Sequence, residues 1–401
     1  MTDAVIVSAC RTAIGTSFKG TLTETTAFDL ADAVVAESLA RTGLGPADVD
    51  DVILGETMYG GGDIARHAAI TAGLVDAPGL ALNRHCASGL SAVATAAANI
   101  RSGMDAVVIA GGTHSMSTAP VSSFRTPGTQ ERQEWWISPS HPDRPDAPNR
   151  DMSITVGWNA AVAAGVSREE MDQWAFDSHR KAIAAIDEGR FADEIVPIKV
   201  MSCSAREGMG SDGTLVTFDV DEHPRRSSTP EKLASLPPLH PEIDGFSITA
   251  GNSAGLNDGA AALVVASDEA ARAHGLATLG VVRSWASVGV DPAITGLAPT
   301  KAIPKALDRA GLSLADVDLF EINEAFASMC VATVKQLGID PTKVNPSGSG
   351  CSLGHPIAAT GARMLTTLVH ELRRRGGGVG VAAMCAGGGM GSAVVVEVPA
   401  P

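Results

Sequence analysis

The feature that most constrains this chain is an internal repeat. Leu39-Ala40-Arg41-Thr42-Gly43-Leu44-Gly45-Pro46-Ala47-Asp48-Val49-Asp50 returns, at a constant offset, as Leu307-Asp308-Arg309-Ala310-Gly311-Leu312-Ser313-Leu314-Ala315-Asp316-Val317-Asp318. After each copy the hydrophobic pattern predicts a strand ending near a glutamate (Glu56, Glu324), then a long helix, then a strand closing on paired glycines at Gly111-Gly112 and Gly387-Gly388. One short match can arise by chance. The same order of elements twice implies two similar α/β units packed on each other, each built on a mostly parallel, covered sheet.

The local signals fit that plan. Ala4 to Ala9 and Val52-Ile53-Leu54 read as strands, and Phe28, Leu30, Ala31, Val34, Val35 and Leu39 recur at helical spacing. Ala87 to Ile100 reads as an Ala-rich helix, followed by a strand over Ala106 to Ala110. Between the repeats the sequence changes character: Trp135, Trp136 and Trp158 stand near a proline run at 139, 142, 145 and 148, and residues 201–247 are rich in Gly, Ser, Pro and charge. A helix is expected from Ser167 to Gly189 within that stretch. The expected organisation is an N-terminal unit (1–116 plus 246–278), a loop domain (117–245) and a C-terminal unit (279–401).

Composition narrows the function. At 401 residues and 45% hydrophobic the chain can bury more than one core, which excludes disorder, coiled coil and collagen. A net charge of −15 repels phosphate backbones, and with only 4% aromatics a stacking platform is a poor fit, so nucleic acid is not an expected partner. No run approaches the roughly 18 apolar residues of a membrane span, and Met1-Thr2-Asp3-Ala4 lacks a basic region followed by an apolar one, so a cytoplasmic, unprocessed protein is expected. Cys10, Cys86, Cys203, Cys330, Cys351 and Cys385 include no CxxC pair, which disfavours zinc and a disulfide framework. A cysteine that matters here matters by thiol chemistry.

Cys86 is the strongest candidate. It sits in Asn83-Arg84-His85-Cys86-Ala87-Ser88-Gly89, just ahead of the Ala-rich helix, where the positive end of the helix dipole favours thiolate. The alternative is a small buried hydrophobe. Asn323-Glu324-Ala325-Phe326 follows a strand, Gly354-His355-Pro356 marks a loop-to-helix turn, and Cys385-Ala386-Gly387-Gly388-Gly389 follows the last hydrophobic strand, so all three are expected where loops leave one sheet edge.

At these residues the sequence resembles the thiolase family over essentially the whole chain. The resemblance covers Val5 to Thr12 with Arg11, Asn83-x-x-Cys86-x-Ser88-Gly89, and Thr249-Ala250-Gly251-Asn252 with Asn257-Asp258-Gly259-Ala260-Ala261. It continues through Asn323-Glu324-Ala325-Phe326, Gly354-His355-Pro356 with Thr360-Gly361, and Cys385-x-Gly387-Gly388-Gly389. It implies a duplicated fold with a five-layered α-β-α-β-α core. It also implies an acyl-CoA C-acyltransferase that makes or cleaves 3-ketoacyl-CoA in a ping-pong reaction, with CoA and acyl-CoA as substrates, no permanently bound cofactor and no metal. Cys86 would be the acyl-carrying nucleophile, His355 the group that takes its proton, and Cys385 the acid/base at the α-carbon. One oxyanion would be held by His355 and a water on Asn323, the other by the N–H groups of Cys86 and Gly387. Met152, Ser253, Ala254 and Phe326 are implied at the acyl and pantetheine channel, and Arg225 near the nucleotide end of CoA. A homotetramer is implied as well.

Several residues depart from the family pattern: Asp151 stands for His, Ala254 for Ser, Ser349-Gly350-Cys351-Ser352-Leu353 for Gly-Ala-Ile-Ala-Leu, Ala359 for Gly, and Thr295 for the Met of acetoacetyl-specific relatives. They bear on acyl specificity. Other readings remain at this level: Arg225-Arg226 as a solvated charge pair, the tryptophan segment as a loop packed on the body, a ketoacyl-synthase-like condensing enzyme, and a non-catalytic acyl-CoA or lipid binder. Cys385 before a glycine run speaks against the condensing enzyme. The joint presence of Cys86, Asn323, His355 and Cys385 speaks against the binder.

Overall fold

The computed structural model describes residues 2–59, 61–201 and 214–400, so Cys203 lies outside the described residues. Nine strands form the main path of one sheet: β1 (Ala4–Thr12), β2 (Asp51–Gly55), β3 (Gly79–Leu82), β4 (Val107–Ser115), β5 (Asn257–Ser267), β6 (Gly280–Gly289), β7 (Leu319–Ile322), β8 (Gly378–Ala386) and β9 (Met390–Val398). Their order is β7-β8-β9-β6-β1-β5-β4-β2-β3. The principal helices are α1 (Ala27–Ala40), α2 (Ile64–Thr71), α3 (Ser88–Ser102), α4 (Arg168–Asp187), α5 (Pro299–Ala310), α6 (Ala327–Leu337) and α7 (Thr360–Arg374).

The sheet is two half-sheets joined at a narrow seam. β1 and β6 pair only through Val5 with Val281 and Ile6 with Gly280, whereas β1 runs along β5 from Ala4 to Arg11. One apolar cluster packs α1 and α2 on the outer face of the first half, and another packs α5 and α6 on the outer face of the second. Between the half-sheets lie α3 and α7, buried on nearly every side. A helix buried nearly all round, its polar side chains included, is a middle layer. The stack is the five-layered α-β-α-β-α core that the resemblance implies.

The repeat is structural. In each half a helix (α1, α5) leads through a short 3-10 turn into a strand (β2, β7). The turn carries the same bond in both copies: Asp48 accepts from the N–H of Gly45 at 2.8 Å, and Asp316 from that of Ser313 at 2.8 Å. The expected helix within the excursion is α4, capped by Ser167, whose hydroxyl accepts from Glu170 N–H.

Two expectations are corrected. The half-sheets are mixed: β5 is antiparallel to β1 and β4, and β9 to β6 and β8, leaving β2 with β3 and β4, and β7 with β8, as the parallel pairs of the main path. Runs such as Ala260 to Ala266 are apolar because helices cover both faces, and that burial makes an antiparallel strand look parallel in sequence. The first glycine pair also does not end its strand. β4 continues through Gly111-Gly112 to Ser115, and Gly112 is glycine because the Ala358 carbonyl presses on it where a Cβ would stand.

Candidate active site

The site is built where α3 and α7 begin side by side in the middle layer. The N–H of Gly89 donates to the carbonyl of Ala358 at 3.0 Å, and a Cβ on Gly361 would run into the Leu90 backbone. The chain three residues before Gly89 is Cys86, and three before Ala358 is His355. The glycines therefore let two helix starts approach closely enough to bring both loops to one place.

Cys86 follows His85, whose φ of 47° is left-handed and marks a tight bend. Arg84 holds the bend: its N–H donates to Ser88 Oγ at 2.8 Å, and its guanidinium donates to Ser91 and Ser287. His85 Nε2 lies 2.7 Å from Ser140 Oγ. The N–H groups of Gly387 and of Cys86 itself converge on the Cys86 sulfur, yet burial outweighs them and pushes the thiol up to about 11. This corrects the expectation of a thiolate favoured by the helix terminus. The N–H groups of Ala87 and Ser88 are committed to the carbonyls of Arg84 and His85, and so are turned away from the sulfur.

His355 is buried, and burial with His114 and Arg363 nearby drives its pKa down to about 3. It is neutral at ordinary pH. Its N–H donates to Asn257 Oδ1 at 3.0 Å and its Nδ1 meets Thr360 Oγ1 at 2.7 Å. The Thr360 hydroxyl donates to the Pro356 carbonyl at 2.8 Å, so it must accept from Nδ1. Nε2 is left bare, 3.5 Å from Asn323 Nδ2. Asn323 directly follows β7 and is fully buried, with no hydrogen-bond partner for Oδ1 among the described residues.

Cys385, near the end of β8, is buried and touches Met329 Sδ at 3.4 Å. Burial first, and then the neighbouring Cys86, hold its thiol well above the ordinary value. Met152 precedes a π-helical turn (Ser153–Trp158), with its Sδ 3.5 Å from where a Cβ on Gly387 would stand. Ala254 N–H donates to Ala325 O at 2.9 Å, and Ser253 bridges to Phe326, which packs with Met152 and Cys385. Arg225 is placed apart from this group. It lies exposed on the segment facing α4, while Arg226 forms a paired contact with Asp187.

The departures find local roles. Asp151 accepts from Ser153 N–H at 3.0 Å and pairs with His240 at 2.8 Å. Thr295 accepts from Gly389 N–H at 3.0 Å and so holds the glycine turn. Ser349, Cys351 and Ser352 point into a polar network behind the site: Ser349 meets Glu321 and Arg363, and Cys351 N–H donates to Glu324. Glu324 also accepts from Trp174, Ser178 and Asn345. The sequence reading missed these supports, as well as the roles of Asn257 and Thr360 and the imidazole of His114. On β4, Val108 and Ala110 face the middle layer and Gly112 abuts Ala358, so His114, next on that face, stands beside the His355 loop. The period-2 pattern of β4 was the available signal.

Among the described residues no helix is long and apolar enough to cross a membrane, and no group of three or more His, Cys, Asp or Glu could hold a metal ion.

Comparison with known proteins finds relatives over the whole chain. A family model described as "Thiolase, N-terminal domain" matches residues 4–269, and one described as "Thiolase, C-terminal domain" matches 276–398. An acetyl-CoA acetyltransferase of Pseudomonas aeruginosa is 44% identical over 99% of both chains. A 3-ketoacyl-CoA thiolase of Bacillus subtilis is 40% identical over 99% of this chain and 100% of its own. The crystal structure of the Bacillus anthracis acetyl-CoA acetyltransferase superposes with a TM-score of 0.89 at 40% identity, covering 99% of each chain. Human mitochondrial 3-ketoacyl-CoA thiolase in complex with CoA superposes at 0.87 with 35% identity, covering 100% of this chain and 98% of its own.

Proposed function

The chain belongs to the thiolase family, and from that premise we propose that it makes and cleaves 3-ketoacyl-CoA through an acyl group carried on Cys86. It is an acyl-CoA C-acyltransferase with CoA and acyl-CoA as substrates. The observation that supports the assignment of Cys86 is the convergence of the Cys86 and Gly387 N–H groups on its sulfur, beside the thiol of Cys385.

At rest Cys86 and His355 are both neutral. Attack of Sγ on the thioester carbonyl forms the S–C bond while the thiol proton passes to the bare Nε2 of His355, and that proton leaves with the CoA sulfur. For condensation, Cys385 first gives its thiol proton to Nε2 of His355, left free once the CoA thiol departs, and the thiolate then takes the α-proton of a second acyl-CoA. The resulting carbanion attacks the acyl-Cys86 carbonyl, the C–C bond forms, the S–C bond to Cys86 breaks, and the expelled Cys86 thiolate takes the proton held on His355. Two oxygens gain charge in turn. The N–H pair of Cys86 and Gly387 suits the acyl-thioester oxygen, and Asn323, with its unpartnered Oδ1, suits a bridging water for the enolate oxygen beside His355.

Met152, Ser253, Ala254 and Phe326 are assigned to the acyl and pantetheine channel; the packing of Met152 and Phe326 against the apolar cluster that contains Cys385, and the bridge from Ser253 to Phe326, support it. Arg225 is assigned to the anionic end of CoA because its neighbour Arg226 is already paired and its own guanidinium is exposed. The units 1–116 plus 246–278, 117–245 and 279–401 remain the proposed domains. A homotetramer is part of the same reading: Trp135 is 72% exposed and Phe18 62%, beside a cleft of about 470 Å³ that also involves Met58, His85 and Trp136. The free thiols of Cys10, Cys86, Cys330, Cys351 and Cys385 suit the reducing cytoplasm.

The test is incubation with acetyl-CoA followed by mass spectrometry of the intact protein and its peptides, together with thiolysis of acetoacetyl-CoA. One acetyl group on Cys86 and CoA-dependent cleavage are expected. Binding of acyl-CoA without either would leave a non-catalytic binder.

A further inference from the structure

Two buried histidines outside the reacting group join the CoA-facing segment to the catalytic loop. His179, on α4, and His223 stack with ring centroids 6.3 Å apart and planes inclined by 22°. His223 Nδ1 lies 2.8 Å from the carbonyl of Ser352, so that nitrogen carries the hydrogen and Nε2 is bare. Ser352 is three residues before His355. The bare Nε2 of His223 packs against Gly255, in the space a Cβ would fill, two residues before the Asn257 that accepts from the His355 N–H. His223 therefore touches both chain segments that fix the His355 backbone.

His179 has the opposite tautomer. The N–H of Arg225 donates to its Nδ1 at 3.1 Å, which leaves the hydrogen on Nε2. Next to His179, Ser178 meets Ser352 Oγ at 2.7 Å and donates to Glu324. The stack thus runs from the Arg225 backbone through two imidazoles to the loop that ends in His355. Burial holds both rings below the ordinary histidine pKa, so both tautomers persist at neutral pH.

We propose that His179 and His223 are positioning residues: their stacked rings tie the backbone of Arg225 to the Ser352–His355 loop, so that seating the anionic end of CoA and orienting the catalytic imidazole depend on one contact. This rests on the assignment of Arg225 to CoA.

The test is steady-state thiolysis with CoA varied. His179→Leu is expected to raise KM for CoA about three- to tenfold, the loss of one hydrogen bond, with a smaller change in kcat. His223→Leu is expected to lower kcat and raise KM together. Asn places a polar atom near the Nδ1 position, so His179→Asn and His223→Asn should recover most of each loss. In an Arg225→Ala background, His179→Leu should add no further rise in KM. If a leucine variant does not fold, the corresponding Gln variant, whose polar group reaches the Nε2 position instead, takes its place. Independent, multiplying effects of His179→Leu and Arg225→Ala on KM overturn the proposal. So does an unchanged kcat and KM in folded His223→Leu. An Arg225→Ala enzyme with unchanged KM overturns the CoA assignment of Arg225 and the linkage with it, and absence of thiolysis in the wild type overturns the assigned activity itself.

Discussion

Thr360 accepts from Nδ1 of His355 at 2.7 Å because its single hydroxyl hydrogen is donated to the Pro356 carbonyl. One threonine thereby sets which nitrogen of the His355 imidazole is free to take a proton. Removing the hydroxyl frees the tautomer and the ring angle. Thr360→Val is expected to lower kcat about tenfold, with Thr360→Ser near wild type, measured in acetoacetyl-CoA thiolysis. Equal rates in all three would show that packing alone orients His355.

The proposed mechanism divides the work between Cys86 and Cys385. Cys86→Ala is expected to abolish both directions. Cys385→Ala should still accept an acetyl group on Cys86, because acyl transfer from acetyl-CoA involves no proton at the α-carbon. Peptide mass spectrometry decides it, and an unlabelled Cys86 in Cys385→Ala beside a labelled wild type would remove the division.

Asn323→Ala should reduce turnover by roughly ten- to a hundredfold, a modest loss for an oxyanion contact, since the contact proposed for it passes through water. Its buried side chain bonds to little else, so the thermal midpoint should change by only a few degrees. A full rate would make Asn323 a strand-end residue alone.

Much of this was legible in the sequence. The repeat at Leu39 and Leu307 foretold the duplication, and the motif residues Cys86, Asn323, His355 and Cys385 are the ones the fold gathers. What the sequence could not convey depends on distant partners. The charge state of Cys86 follows from burial and from the Gly387 N–H, 301 positions away along the chain. His114, Thr360 and the His179–His223 stack look like ordinary polar residues until the register of β4 and the course of α4 and α7 are known. Strand direction was misread because covered antiparallel strands carry no alternation to read.

The Cys86 thiol, raised to about 11, keeps its proton through neutral pH. Alkylation by iodoacetamide in the free enzyme should therefore be slow at pH 7 and rise about tenfold per pH unit towards pH 11, and acyl-CoA should protect against it. His355, lowered to about 3, contributes no inflection between pH 5 and 8. A rate that levels off below pH 9 would show that a nearby cation or a closed form of the site stabilises the thiolate.

Buried neutral histidines also make the fold sensitive to acid. His114 has no exposure and no hydrogen-bond partner at either ring nitrogen among the described residues, and burial lowers its pKa from the ordinary 6.5 to about 4. The unfolded chain therefore takes up a proton below pH 6.5 that the folded chain refuses until about pH 4. Stability from this group is complete above 6.5 and falls as pH drops through that window, by about 1.4 kcal/mol per pH unit. Glu321, raised to about 7 by burial, acts in the opposite sense, so the group is best isolated by substitution. Between pH 7 and pH 5 the wild type should lose about 2 kcal/mol more than His114→Gln, read from urea midpoints and slopes at the two pH values. Parallel losses in the two proteins would mean that His114 is hydrated or paired in solution.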